Sequence, residues 1–132
     1  MITISRVKYP HPGQRPSFEQ VVQAAYKAVD ETIMLEPCIR QVRAAYDRIW
    51  TDGPGCIIAR VKIRPVVFAR QLVAHYMMTE HGGSKAIGKL LGGKDHTTVL
   101  HGRDTINDII SLKYDTIEKD AYWLFRQYLN EV

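Results

Sequence analysis

Along most of the chain apolar residues return every three or four positions, the spacing that gathers them on one face of an α-helix. Val21, Val22, Ala25 and Val29 form such a stripe, and Ser17 with Gln20 three residues on has the form of a capping box, so a helix is predicted over residues 18–32. Pro37 suits the first turn of a second helix, with Ile39, Val42, Tyr46, Ile49 and Trp50 as its face up to the break at TDGPG. After Pro65 a third stripe, Val66, Ala69, Leu72, Val73, Tyr76 and Met77, runs to about Glu80 and ends at His81, Gly82 and Gly83. Ser84 is placed to cap a short helix, SKAIGKLLG, with Ile87, Leu90 and Leu91 inward. Gly92 and Gly93 make a tight turn, and Asp95 is placed to cap a helix to about Leu112 on a stripe of Val99, Ile106, Ile109 and Ile110. Alternation with a period of two occurs twice. Ile2, Ile4 and Val7 predict a short strand over residues 1–8, and IIARVKI, residues 57–63, is open to a strand or an extended basic arm. The expected architecture is mainly α: a helical bundle with short N-terminal strands, in which a short helix, a glycine turn and a longer capped helix make a helix-turn-helix.

Composition sets the class. A chain of 132 residues, 45% hydrophobic and 24% charged, is long enough for one soluble domain with its own core. No apolar run approaches the roughly 18 residues of a membrane span, and MITISRVKYP lacks the apolar stretch of a signal peptide, so a cytoplasmic, nucleoid-associated protein without a membrane partner is expected. Cys38 and Cys56 then read as free thiols. The net charge of +4 is unevenly placed: residues 1–102 carry 14 Lys and Arg against 8 Asp and Glu, residues 103–132 carry 4 against 6. The densest positive run, RVKIRPVVFAR, holds Arg60, Lys62, Arg64 and Arg70 with no acid, which suits a polyanion and equally a solvated basic loop.

Other chemistries fit less well. GSKAIGKL has the glycines and lysine of a phosphate-binding loop but puts Leu90 where a hydroxyl should hold magnesium, and a helix precedes it where a strand is required. His96 and His101 lack metal-site spacing, and His75 and His81 read as surface or boundary residues. The paired threonines have no activating base. No enzyme activity, cofactor or metal is expected.

The run GGKDHTTVLH fits nucleic acid better. The first turn of a helix offers unbonded N–H groups and the positive end of its dipole. Short side chains allow close approach: Asp95 could accept from a cytosine amino group, Thr97 and Thr98 could meet a thymine methyl or a phosphate, and His96 and His101 could bond base edges or backbone. Lys94 adds a cation at the same end. Thr97, His101, Asp104 and Asp108 share the side opposite the Val99 stripe, and the two aspartates would repel phosphate, so the helix should enter by its N-terminal end.

In these residues the chain resembles the C-terminal DNA-binding domain of the bacterial replication initiator DnaA. GGKDHTTV matches its signature, and FARQLVAHYM, GSKAIGKLLGG and the closing helix follow in order, so the resemblance covers about residues 57–129. It implies a helical domain akin to Trp repressor that binds an asymmetric, A·T-rich box in double-stranded DNA. By the same resemblance Asp95, His96 and Thr97 read bases, Thr98 meets phosphate, Arg70 and Gln71 hold the backbone, and the minor-groove arm falls to Lys62 or Arg64, with Arg60 in the same run. Phe68 and Asp104 stand where basic residues are usual, and a domain without the family's ATPase module is expected. The expected organisation is an N-terminal helical segment, residues 1–56, packed on a DNA-binding domain, residues 57–132. The expected role is regulation of replication initiation or transcription in a bacterium or phage. The alternative is a protein-interaction module of a replication or phage complex, whose N-terminal helices dock a replication or transcription protein and whose DNA surface is vestigial.

Overall fold

A computed structural model of the chain describes residues 16–45, 55–58 and 62–131, and the capping signal read at Ser17 forms in it. The Gln20 N–H donates to Ser17 Oγ at 3.1 Å and the Ser17 N–H donates to Gln20 Oε1 at 2.8 Å, which starts helix α1, Phe18–Ile33. Met34 ends it in the left-handed region at φ 68°, its N–H donating to the Val29 and Asp30 carbonyls. Asp30 Oδ1 then accepts the Glu36 N–H at 2.8 Å, so one side chain of α1 fixes the start of α2, Glu36–Ala45.

Among the described residues five further helices follow: α3, Gly55–Ile58; α4, Arg64–Glu80; α5, Ser84–Leu90; α6, His96–Ile110; and α7, Ile117–Asn130. The described residues contain no strand. The expected strand over residues 1–8 lies outside them, as do Tyr46, Ile49 and Trp50. Ile57 and Ile58 belong to the helical turn α3, so the strand or extended-arm reading of IIARVKI fails at its start. The physical reason is that a single apolar alternation does not distinguish a strand from one turn whose carbonyls find partners elsewhere.

Helix α4 is the centre of the bundle. Ten of its residues between Val66 and Met77 are buried, covering the helix nearly all round, because α6 and α1 pack along it and α2, α3 and α5 close on it at smaller contacts. Phe68 is wholly buried here, in the core and not in a basic loop. Edge-on pairs tie α4 to α7: Tyr76 with Phe125 at 6.2 Å and His75 with Tyr122 at 5.7 Å between centroids. His75 is therefore a core residue, correcting the surface or boundary reading. Helix α1 closes on α7 through the Tyr128 hydroxyl, which donates to Glu31, and through Lys27 Nζ, 4.1 Å from the Tyr128 ring centre. Burial and the Glu31 acceptor push the Tyr128 hydroxyl up to about 12.

Two details of the expected α5 change. Gly83, at φ 80°, takes the N-cap position expected of Ser84, which becomes the first helical residue. Leu90 is 45% exposed, while Ile87 and Leu91 face inward. Cys38 is a half-buried free thiol. Among the described residues no helix is long and apolar enough to cross a membrane.

Candidate nucleic-acid interface

The turn between α5 and α6 is built by backbone that approaches too closely for side chains. Gly92 and Gly93 sit at φ 87° and 80°, in the left-handed region that favours glycine. The N–H groups of Gly93 and Lys94 donate to the Gly88 carbonyl at 3.0 and 2.8 Å. A Cβ on Gly88 would overlap the Lys94 carbonyl oxygen, so Gly88 serves this packing, and residues 83–90 are a turn and a helix preceded by helix α4. A Cβ on Gly92 would lie 2.5 Å from the Ile58 carbonyl oxygen, which locks the turn against α3.

The last carbonyls of α3 draw in two cations. Arg70 Nε donates to the Ile57 carbonyl at 2.9 Å and Lys94 Nζ to the Ile58 carbonyl at 3.3 Å. Unsatisfied carbonyls at a helix C-terminus carry partial negative charge, so this short helix orients both side chains. Arg70 is only 9% exposed. With Lys62 and Thr98 these cations line a recess of about 310 Å³ beside Asp95. A second recess of about 480 Å³ continues from Lys62, Arg70 and Thr98 to Gln71 and His101.

Helix α6 begins as expected, with Asp95 extended at φ −64° and ψ 148°, but the carboxylate makes no capping bond to the first turn. Asp95 Oδ2 instead accepts from Thr97 Oγ1 at 2.7 Å, and Oδ1 stands 3.0 Å from His96 Nδ1. The Thr97 hydroxyl is the main reason the Asp95 carboxyl lies below its usual range, with His96 and nearby backbone N–H groups acting in the same direction. Asp95, His96 and Thr97 thus form one exposed cluster, with exposed Thr98 beside it and His101 one turn on.

Not every expected site residue joins this face. Arg64 Nη2 lies 3.8 Å from Glu118 Oε2 and its guanidinium carbon 5.9 Å from the centre of the Phe68 ring, and it lines neither recess. Arg60 lies outside the described residues. Gln71 is half-buried under α6, where Gly102 allows close packing: a Cβ there would stand 3.4 Å from Gln71 Cγ. Asp104 is paired with Arg103 Nη2 at 2.9 Å, so its charge is matched and less repulsive to phosphate than expected.

One brace has no signal in the sequence. His75 Nε2 and Asn107 Oδ1 are 2.9 Å apart, joining the core of α4 to α6, and the geometry fits the tautomer whose Nε2–H donates to the amide oxygen. Burial disfavours the imidazolium and lowers the His75 pKa, opposed by the Asn107 bond. The described residues contain no group of three His, Cys, Asp or Glu that could hold a metal ion.

The family model of the bacterial dnaA protein helix-turn-helix matches residues 56–106, the stretch that holds both recesses and the Asp95 cluster. The chain carries a DnaA-type helix-turn-helix. It is similar to the chromosomal replication initiator protein DnaA of Herpetosiphon aurantiacus, at 47% identity over 110 residues covering 77% of this chain and 22% of that protein. The DnaA of Limosilactobacillus reuteri is 32% identical over 99 residues, 74% of this chain and 21% of the relative. The DnaA of Chloroflexus aggregans is 47% identical over 55 residues, 40% of this chain and 11% of the relative. This chain therefore spans about a fifth of the length of the first of these relatives. No solved structure matches it. The Herpetosiphon DnaA match covers more of the chain than residues 57–132 contain, so the similarity reaches into the helices ahead of residue 57, beyond the limit expected from the signature motifs.

Proposed function

We propose that the chain is a sequence-specific double-stranded DNA-binding protein that recognises a DnaA-box-like site through the first turn of α6, in regulation of replication initiation or transcription. One observation carries this reading: the exposed Asp95, His96 and Thr97 stand at a helix N-terminus directly beside a recess lined by Lys62, Arg70 and Lys94. Acceptors and donors at a helix tip suit base edges in the major groove, and adjacent cations suit the phosphates that flank them. In this reading Thr98, Lys94, Arg70, Gln71 and His101 hold the backbone. Lys62, with Arg60 and Arg64, serves the minor-groove arm. Residues 57–132 are the DNA-binding domain, and of residues 1–56 the described helices α1 and α2 pack on it. A second reading, docking of a protein partner by the N-terminal helices, is favoured by an open groove of about 740 Å³ edged by Glu19, Asp30, Glu36 and Glu131 with Lys27, so that acids predominate where the DNA face is basic.

Substitutions separate reading from gripping. Asp95→Asn, His96→Ala and Thr97→Ala should each weaken binding to the preferred box by about 1 to 3 kcal/mol and change binding to unrelated duplex little. Thr98→Val keeps the branched shape without the hydroxyl, so it should weaken both duplexes alike. Titrations on the two DNAs measure this. Equal losses on both from all the Asp95, His96 and Thr97 variants would remove these residues from base reading.

A further inference from the structure

Helix α5 carries charge that its packing does not require. Ile87, Gly88 and, just past its end, Leu91 are buried, while Lys85, Ala86, Lys89 and Leu90 are exposed. Gly88 marks the side that touches the start of α6, since a Cβ there would overlap the Lys94 carbonyl oxygen and stand 3.7 Å from Val99 Cγ2. With about 100° between successive residues, Ile87 and Leu91 fall on the core side of Gly88. Lys85 and Lys89 fall on the other side, roughly 60° and 100° round from it. The two lysines are therefore neighbours one turn apart, on the flank of α5 next to the α6 N-terminus and turned to solvent. Neither makes an ion pair or hydrogen bond among the described residues. Like charges one turn apart repel each other, so the pair works against the isolated helix.

A polyanion would reverse that sign. In a helix-turn-helix the first helix crosses the sugar-phosphate backbone while the second enters the groove, and α5 is the first helix here. We propose that Lys85 and Lys89 form a second phosphate contact, separate from the recess of Lys62, Arg70 and Lys94, that grips duplex DNA flanking the site read by α6. The proposal rests on the assignment of α6 as the recognition helix. The contact is blind to sequence: it lengthens the footprint and strengthens binding to any duplex long enough to reach α5, and it leaves the preference for one box unchanged.

The test is the salt dependence of binding of the full chain to a duplex that carries the preferred box with long flanks. Each neutralised phosphate contributes about −0.9 to the slope of log K against log salt, so Lys85→Gln with Lys89→Gln should make the slope shallower by about 1.8. The ratio of box to unrelated affinity should not move, and thermal unfolding of the variant should match the parent, because both side chains are exposed and glutamine keeps the helix. A duplex trimmed to the box should give parent and variant the same slope. Equal slopes on the long duplex would overturn the proposal, and so would a difference that persists undiminished on the trimmed one. Absence of salt-dependent binding by the parent would overturn the assignment of α6 as well, and so distinguishes the two failures.

Discussion

Phe68→Ala is expected to lower the unfolding free energy by about 3 to 5 kcal/mol, the loss typical of emptying a buried phenyl site. Phe68 is wholly buried, on the central helix α4 against which α1 and α6 pack, so a neighbour collapsing into the space would have to move a helix. The ring also lies near the Arg64 guanidinium carbon, 5.9 Å from its centre, and an exposed cation over an aromatic face adds a smaller contribution. Domains of this size are stable by only about 5 to 15 kcal/mol, so the substitution removes a large fraction of the total. Urea titration followed by circular dichroism measures it, with a lower midpoint at an unchanged slope expected. A midpoint within a few tenths molar of the parent would show that Phe68 is not in the core.

Gly92→Ala and Gly93→Ala form a pair in which backbone strain is common to both and steric room differs. Both residues lie at similar positive φ, where a Cβ costs about 1 to 2 kcal/mol. At Gly93 nothing stands within 4 Å of the new atom, so that cost is all that is expected. At Gly92 the Cβ meets the Ile58 carbonyl oxygen at 2.5 Å and Ile58 Cβ at 2.9 Å, both on the turn that also receives Arg70 and Lys94. Overpacking adds about 1 to 3 kcal/mol, which makes the total roughly 2 to 5. Relief of this overlap would push α3 away and release the two cations, so Gly92→Ala should weaken DNA binding even where the protein is folded. Unfolding and DNA titration of the two variants side by side decide it. Equal behaviour of the pair would contradict the close contact between the turn and α3.

Much of this arrangement is local in origin and could be read along the chain. The capping box of α1, the stripe from Val66 to Met77 and the glycine pair before Asp95 each depend on residues within a few positions, and each formed where the spacing placed it. What could not be read depends on distant partners or on backbone atoms. His75 finds Asn107, 32 residues away, and becomes core. The receivers of Arg70 and Lys94 are carbonyls of Ile57 and Ile58, which no side-chain pattern reports. Asp95 was legible as an N-cap position but not in the bonds it makes, because Thr97 and His96 compete for its carboxylate at the same helix start. Leu90 counted as apolar and therefore inward, yet a helix of seven residues has too little buried face to hold three large side chains.

The central claim is that the tip of α6 chooses among DNA sequences. Repeated selection of bound duplexes from a random pool, run on the parent and on a variant combining Asp95→Asn, His96→Ala and Thr97→Ala, tests it most directly. The account predicts one recurring asymmetric, A·T-rich box for the parent and loss of that consensus for the variant, with salt-sensitive binding retained in both. A parent pool that stays random, or the same box recovered by the variant, would contradict it.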